Sequence, residues 1–280
     1  MIWAQKLRIA SWNINTLSAI SGQSLMKNSI IRQDSDYSLL QQYARELNPH
    51  IVALQEMGSY DAVKRIFPED IWDIVFSGDN GTGNNIHTAI VIRKNTIKIL
   101  KQSHISMMNR SLNSSRGDRK AIEILFEYNG EKFFLLNIHL KSFCFVDSLQ
   151  EKHNFACETL NMQTNWLKEW IDQKKNSNIP FIIAGDFNRK INHLGNQDDV
   201  WKKITQNTPL IRFPSYKKAR CRLKKNIKNP TSIDFFVMDQ LAYNHFVQGS
   251  FSEFLYRKED IQERGYRLSD HCPIIAEYNF

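Results

Sequence analysis

The sequence predicts a single α/β domain over residues 1–280, rich in strands and carrying a few helices. Three observations lead there. Short apolar runs of strand length recur along the chain, and several end abruptly on a carboxylate, an amide or an imidazole. Between some of them apolar residues recur at helical spacing, as at Leu40, Tyr43, Ala44 and Leu47, and again at Leu160, Leu167 and Ile171. No repeat, low-complexity block or Pro/Gly-rich linker divides the chain, and 280 residues is a routine length for one such domain. With 42% hydrophobic and 24% charged residues the balance is that of a folded protein, not a disordered tail. The longest apolar runs, such as Ile179–Gly185, fall far short of the roughly 20 residues a membrane-spanning helix needs.

In chain order, Leu7–Trp12 reads as a strand running into Asn13, and residues 18–36, rich in Ser, Asn and Gln, as a loop. The helix carrying Leu40 and Leu47 stops at Asn48-Pro49. Ile51–Leu54 is a short buried strand that leads directly to Gln55-Glu56. Ser77–Asn85, with three glycines, is a loop before a strand at Thr88–Arg93. Strands at Ala121–Tyr128 and Lys132–His139 flank Asn129-Gly130, a strong two-residue hairpin signal. Ser148-x-x-Glu151 has the capping-box pattern and is expected to open the long helix through Ile171. Phe181–Gly185 runs into Asp186, and Ile233–Val237 and Pro273–Ala276 complete the strands.

Charge narrows the partner. Thirty-seven Lys and Arg against 29 Asp and Glu leave +8, a mild basicity that on its own is common. Its distribution is more informative: Arg212 to Lys228 carries eight cations, among them Lys217, Lys218, Arg220 and Arg222, and no acid. A run of this kind is often only a solvated loop. Here Phe213 and Tyr216 are interleaved with the cations, which suits a phosphate-tracking groove with stacking partners. Cys144, Cys157, Cys221 and Cys272 lack zinc spacing, and their even count permits two disulfides without demanding them. Met1–Arg8 is too short and polar for a signal peptide. An exported protein whose leader has been removed and a cytoplasmic protein both remain open.

The chemistry lies at the strand ends. Asn13, Glu56, His139 and Asp186 each follow an apolar strand, Asp234 sits between Ile233 and Phe235, and Ser269-Asp270-His271 precedes the last strand. Any one of them alone reads as a turn residue or a satisfied surface group. Six together are different, because ionised groups beside apolar runs are normally paired or metal-bound. Phosphodiester hydrolysis would use such a set. In-line attack needs a water activated by a base, a cation on the phosphoryl oxygens and donors for developing charge. His271 beside Asp234 supplies the base, Glu56 a ligand for a hard divalent cation, and Asp186 with Asn188 the grip on water and phosphate.

Ser11-Trp12-Asn13, Gln55-Glu56, Asn137-Ile138-His139-Leu140-Lys141-Ser142, Gly185-Asp186-Phe187-Asn188 and Ser269-Asp270-His271-Cys272-Pro273 occur in that order across nearly the whole chain. The set resembles the endonuclease/exonuclease/phosphatase superfamily, which includes DNase I-like and CdtB-like nucleases and inositol phosphatases. The resemblance implies a four-layer α/β sandwich, two packed mixed sheets flanked by helices. It also implies a divalent-metal-dependent endonuclease acting on DNA, with RNA left open, with Mg²⁺ (or Ca²⁺ or Mn²⁺) as cofactor and a monomeric chain. By that resemblance His139, Asp186, Asn188, Asp234 and His271 are catalytic. Glu56, Asn13 and Asp270 lie at the metal. Arg119 is the phosphate-binding arginine, joined in contacting DNA by Lys141, Lys217, Lys218, Arg220 and Arg222.

Departures from the pattern sharpen the reading. His139 stands where abasic-site endonucleases carry Asn-x-Tyr, and Asn15 where they carry a metal-binding Asp, so abasic-site specificity and a tightly held second metal are disfavoured. No Glu between Asn84 and Ala89 matches the partner of this histidine in DNase I, which leaves the protonation of His139 open. The segment Pro230–Phe236 lacks the Trp-Cys-Asp-Arg signature of inositol phosphatases. Exported nucleases that resemble this chain have a cysteine after the His-Leu-Lys-Ser motif, which suggests a Cys144–Cys157 bridge. Buried free thiols are the alternative. Two rival functions remain: a phosphatase or phosphodiesterase of inositol phosphates or phospholipids, and an inactive binding module. The first asks for an apolar docking loop, and none stands out in the sequence; the second asks for a lost core residue, and none is lost.

Overall fold

Ile51–Leu54 and Phe181–Ala184 are apolar at every position because both faces of each strand are covered. The computed structural model describes residues 6–78, 85–107, 119–151, 153–221 and 230–280, and two six-stranded mixed sheets supply those faces. One has the order β11-β12-β1-β2-β4-β3, built from β1 (Leu7–Leu17), β2 (Ile51–Met57), β3 (Trp72–Phe76), β4 (His87–Arg93), β11 (Ser252–Glu253) and β12 (Ile274–Tyr278). The other has the order β5-β6-β7-β8-β10-β9, built from β5 (Lys98–Ile105), β6 (Ala121–Tyr128), β7 (Glu131–His139), β8 (Phe181–Asp186), β9 (Ile211–Phe213) and β10 (Asp234–Met238). The helices are α1 (Asp34–Leu47), α2 (Tyr60–Ile66), α3 (Phe155–Lys175), α4 (Ile191–Leu194), α5 (Asp199–Thr205), α6 (Gln240–His245) and α7 (Lys258–Arg264).

Three buried clusters mark three interfaces between four layers. Alternate strand residues face opposite ways. Ile9, Ile51, Ala53, Ile90 and Ile92 meet Ile124, Phe126, Leu135, Ile182 and Phe236 between the sheets. Ala10, Trp12, Val52, Leu54 and Val91 face outward onto Leu40, Tyr43 and Leu47 of α1 and Val63 of α2. Leu136, Ile138, Ile183 and Val237 face the other way onto Leu160, Leu167 and Ile171 of α3 and Val200 and Ile204 of α5. The expected four-layer α/β sandwich is the observed fold. No described helix is long and apolar enough to cross a membrane.

Local signals explain the elements that were expected. Asn48, in the left-handed conformation, caps α1. Asn129 and Gly130, both at positive φ, close the β6–β7 hairpin. The long helix, in contrast, does not start at Ser148. Asn154 caps it, accepting from the backbone N–H groups of Ala156 and Cys157. Ser148 instead closes a short turn with Glu151 and bonds Asp199 of α5. Strand β5 carries no clear alternation in the sequence because it is an edge strand, half exposed and rich in Lys and polar residues.

Gly185 is where packing dictates sequence most strictly. It pairs with Ile138 in the parallel β7–β8 ladder at φ +146°, and a Cβ there would lie 2.0 Å from the Ile138 carbonyl oxygen. Gly185→Ala must therefore push the two strands apart just before His139 and Asp186. We expect it to destabilise the fold by roughly 2–6 kcal/mol, the combined cost of overpacking and a disallowed backbone. Urea unfolding measures this; a loss under about 1 kcal/mol would mean the strand pair relaxes freely.

Candidate active site

Among the described strands, β1 with β2 and β7 with β8 are the parallel pairs. Their C-terminal ends therefore emerge at one edge of the sandwich, carrying Asn13, Glu56, His139 and Asp186. Strand β10 runs antiparallel to β8, so its N-terminal residue Asp234 lies opposite Asp186. Strand β12 runs antiparallel to β1, and its start at Ile274 pairs with Ser11, bringing Ser269–His271 to the same edge. Six residues scattered over the sequence thus meet for a topological reason.

The backbone is bent to aim them. Asn15, Thr16, Glu56 and Asn188 all have positive φ, a conformation that is unfavourable for Thr16 and Glu56 above all. The ladder between β1 and β2 shifts register after Asn13. Past that irregularity the Thr16 N–H donates to Glu56 Oε2 at 2.9 Å, and the Asn15 N–H to Asn13 Oδ1 at 2.9 Å.

Asp186, 1% exposed, is the centre. Its Oδ1 accepts from the Asn188 N–H at 2.7 Å, and its Oδ2 from Asn13 Nδ2 at 3.1 Å and Asn188 Nδ2 at 3.0 Å. Burial raises its affinity for a proton, and the charges of Asp234 and Glu56 add to this while His271 opposes it. The two hydrogens of the Asn13 amide bridge Asp186 and Glu56 Oε1, the latter at 3.3 Å. Asn13 thus sets two carboxylates side by side, and its oxygen, expected at the metal, accepts the Asn15 N–H. Asn188 likewise gives both amide hydrogens inward, to Asp186 and to the Leu140 carbonyl at 3.0 Å. What it has left to present is a carbonyl oxygen, not the donor expected for a phosphoryl oxygen.

His271 Nδ1 lies 2.7 Å from Asp234 Oδ2, which fixes the proton on Nδ1 and leaves Nε2 as the reactive nitrogen. Burial opposes charge on this ring, but Asp234, Asp186 and Asp270 outweigh it and raise its pKa well above the usual histidine value. Nε2 stands 3.9 Å from Asp186 Oδ2 and 3.9 Å from Asp270 Oδ1. The Ser269 hydroxyl fixes this loop by donating to the Asn13 carbonyl and accepting the His271 N–H. His139 is different. Burial drives its pKa well below 6.5, with Arg119 and His271 acting in the same direction, so its ring is neutral. Its Nε2 faces Arg119 Nη1 at 3.1 Å; because Arg only donates, Nε2 is an acceptor there and the proton lies on Nδ1. That buried Nδ1 has no hydrogen-bond partner among the described residues.

Two flanking segments complete the site. Lys141 caps the Phe143 ring, its Nζ 5.3 Å from the centroid, and donates to the Ser142 carbonyl. On the other flank Lys217, Lys218 and Arg220 are exposed on a strap that Glu253 of β11 grips, accepting from Tyr216 Oη at 2.5 Å and the Cys221 N–H at 2.6 Å. A Cys221–Cys272 disulfide fastens this strap to the residue after His271. Arg222 lies outside the described residues. The aromatic interleaving expected of this strap holds only in part: Phe213 stacks on Phe246 at 4.5 Å, whereas Tyr216, whose hydroxyl donates to Glu253, has the Arg220 guanidinium 6.0 Å from its ring centroid. Arg212 also turns inward, onto Trp201 and Asn192.

The expected Cys144–Cys157 bridge is present, and Cys221–Cys272 is a second. Exposed apolar side chains are also present on the loop after His139 and at the start of α3, where none stood out in the sequence: Phe143 is 66% exposed, Val146 39% and Phe155 50%. Their exposure is a tertiary outcome that sequence spacing does not signal.

Arg32 carried no sequence signal, and Gln55 and Asn137, although they lie within the motifs, were assigned no role there. Buried Arg32 donates to the carbonyls of Ile14, Asn15, Arg267 and Leu268, joining the strained end of β1 to the loop before Ser269. Gln55 and Asn137 bond across the sheets at 2.7 Å, and Asn137 also caps the carbonyls of Leu54 and Ala89.

The donor set fits a hard divalent cation. Glu56 and Asp186 converge with oxygen atoms and amide neighbours, and their nearest basic partner is His139 Nε2, 3.6 and 3.5 Å away, on a neutral ring. Asp186, Asp234 and His271 also offer ligand atoms within 4.8 Å of one another, although His271 and Asp234 are already paired. Oxygen ligands and excess negative charge suit Mg²⁺, Mn²⁺ or Ca²⁺.

No family model matches the sequence, and no curated protein matches it. Solved structures do match, over almost the entire chain. The human Nocturnin catalytic domain with a bound sulfate anion is similar at 17% identity and TM-score 0.64, covering 98% of this chain and 94% of that one. D. rerio TDP2 complexed with a single-strand DNA product is similar at 19% identity and TM-score 0.62, covering 98% and 99%. An endonuclease/exonuclease/phosphatase from Bacteroides vulgatus is similar at 16% identity and TM-score 0.63, covering 99% of both. The fold is the one these proteins share.

The two bridges give a direct test of this geometry. Peptide mapping without reduction should recover Cys144 linked to Cys157 and Cys221 linked to Cys272. Cys221→Ser/Cys272→Ser should cost about 2–4 kcal/mol in a denaturant melt. Free thiols at Cys221 and Cys272 would detach the strap from the His271 loop.

Proposed function

We propose, from a fold shared with endonuclease/exonuclease/phosphatase proteins, that this chain is a divalent-metal-dependent phosphoesterase. Its substrate in this reading is nucleic acid, and the reaction is endonucleolytic cleavage of DNA, with RNA as a further substrate. The observation that carries the reading is the His271–Asp234 pair facing the Asp186–Asn13–Glu56 cluster at a single mouth.

The chemistry follows from the atoms. In the neutral form of its ring His271 takes a proton from water on Nε2, and Asp234 stabilises the imidazolium that results. Asp186 and the Asn188 carbonyl, both acceptors at the mouth, orient that water toward phosphorus. A cation held by Glu56 and Asp186, with Asp270 bordering the site, would neutralise developing charge on the phosphoryl oxygens. Arg119, placed against His139 and the Leu140 carbonyl, brings a fixed positive charge to the same region. The exposed Lys217, Lys218 and Arg220 supply attraction for a polyanion. The two bridges suit an oxidising compartment.

One observation favours a second reading. The exposed Phe143, Val146 and Phe155 are what a phospholipid or inositol-lipid phosphoesterase would use to reach a membrane. Purified protein with supercoiled plasmid, RNA, inositol phosphates and phospholipid vesicles, each with Mg²⁺ or EDTA, separates the two. Mg²⁺-dependent nicking supports the nuclease; phosphate release from the lipids without nicking replaces it.

On the nuclease substrate, His271→Ala should lower kcat by roughly two or more orders of magnitude with little change in DNA affinity. Glu56→Gln should raise the Mg²⁺ concentration needed for half-maximal rate. Near-normal nicking by His271→Ala would remove this residue from the base role.

The strap makes a separate prediction. Replacing Lys217, Lys218 and Arg220 with Gln should weaken DNA binding at every sequence tested. For each phosphate the variant no longer neutralises, the slope of log affinity against log salt should flatten by roughly 0.9. An unchanged slope would make the strap a solvated loop.

A further inference from the structure

The loop after His139 is held with more apparatus than a connection needs. Buried Arg189 donates to the Cys144 carbonyl at 2.9 Å and the Asp147 carbonyl at 2.7 Å, while its Nε pairs with Asp198 at 2.7 Å. The Lys190 N–H donates to the Phe145 carbonyl at 2.9 Å, and the Gln163 side chain accepts the Lys141 N–H at 2.8 Å. The Cys144–Cys157 bridge pins the loop to α3. These ties turn Cys144 inward and Phe143 outward, 66% exposed and at φ +74°, a costly conformation for an aromatic residue. Scattered exposed hydrophobic residues need no explanation. A strained one on a clamped loop does.

Its surroundings indicate what it meets. The Leu140 carbonyl accepts from both Asn188 and Arg119, so Phe143, three residues on, is within about 10 Å of that carbonyl. Phe145 lies edge-on to Phe143, with ring centroids 6.3 Å apart. Lys141 Nζ sits 5.3 Å from the Phe143 centroid and Lys190 Nζ 5.5 Å from that of Phe145. A largely exposed aromatic ring with a cation over one face, next to the proposed phosphodiester site, matches a nucleotide's own parts: a flat base for the other face and an adjoining phosphate for the cation.

We infer that Phe143, supported by Phe145 and flanked by Lys141 and Lys190, is a stacking platform for an unpaired nucleobase one or two nucleotides from the scissile phosphate. The inference rests on the nuclease reading and refines it: the preferred substrate is single-stranded, or duplex with a frayed end, because a base stacked within a duplex has no free face to offer. Phe143 is then a specificity-determining residue, and the same loop serves no lipid.

The test compares wild type with Phe143→Gly, Phe143→Ala and Phe143→Trp on a single-stranded oligonucleotide and on the same strand with abasic sites flanking the scissile position. Stacking of one base predicts a KM roughly 5–150-fold higher for Phe143→Ala on the intact strand, with kcat little changed. The wild type should discriminate against the abasic strand by a similar factor, and Phe143→Ala should not. Phe143→Trp should restore KM. Phe143→Gly, which relieves the positive φ, should melt no lower than wild type yet lose the same affinity, an outcome a structural role would not produce. Equal KM values for wild type and Phe143→Ala, with nicking intact, overturn the platform and leave the nuclease reading standing. Binding is read independently of turnover in Phe143→Trp/His271→Ala. The indole fluorescence it has in excess of His271→Ala, which carries only the six native tryptophans, should be quenched by oligonucleotide in EDTA and unmoved by phosphatidylcholine/phosphatidylglycerol vesicles. A blue shift with vesicles and no response to oligonucleotide overturns the platform in favour of membrane docking. Absence of any nucleic-acid hydrolysis in the wild type overturns the nuclease reading with it.

Discussion

A carboxylate that solvent scarcely reaches has to be reconciled with its charge, and much of this structure is arranged around that requirement at Asp186. Removing an ionised carboxylate from water costs several kcal/mol unless hydrogen bonds and opposite charge replace the lost hydration. The protein supplies three hydrogen bonds, from the Asn188 N–H and from the amides of Asn13 and Asn188. It places further carboxylates at Glu56 and Asp234 nearby, which makes the charge problem worse. A surplus of this kind has a use only if something positive enters. In the proposed reading the centre is incomplete as protein alone, and a divalent cation with a phosphate ester would complete it.

Burial of Asp186 follows from strand order. It is paired on one side with parallel β7 and on the other with antiparallel β10, so it cannot be a sheet-edge residue. Close approach of β7 requires Gly185, and that approach sets His139 beside Asp186. The opposite sheet contributes Asn13 and Glu56 across the interlayer gap, held in depth by the Gln55–Asn137 bond. Each element of the site is thus a consequence of two parallel strand pairs ending together, and a substitution that separates the sheets would disperse it.

How much of this could be read in advance depended on whether the cause was local. Asn129-Gly130 and Asn48 carry their conformations in their own residue types, and both turns were legible. The chemical residues were legible because polar side chains directly after apolar strands are anomalous, and because their order resembles a known pattern. The positive φ of Glu56 was not legible, since nothing in Gln55-Glu56-Met57 prefers it; tertiary packing imposes it. The same holds for Arg32, whose four carbonyl partners come from segments more than 200 residues apart. Phe213 differs from its sequence expectation for a related reason: flanking cations suggest a nucleic-acid groove, yet a short strand turns its ring onto Phe246 and Phe251. Exposed aromatic residues cannot be told from buried ones by spacing when the loop that carries them is fixed by a buried arginine and a disulfide.

The stability cost of the site is offset at its rim. Positive φ at Thr16 and Glu56 costs on the order of 1–3 kcal/mol each, and less at Asn15 and Asn188, whose residue type tolerates it, against a total stability of only about 5–15 kcal/mol for a domain. Such strain persists only where neighbouring contacts over-determine the backbone. Arg32 does this for Asn15, the Glu56 carboxylate does it for Thr16, and Asp186 does it for Asn188. The chemical groups are therefore also the braces of their own strained segments. Removing one of them removes a reactive group and a support together, so activity losses at Glu56 or Asp186 combine chemistry with geometry. His271 is different: its backbone is fixed by Ser269 and its loop by Cys272. Of these residues it is the one whose side chain can be deleted while the frame around it stands, so its loss is the most direct test of the proton transfer proposed for it.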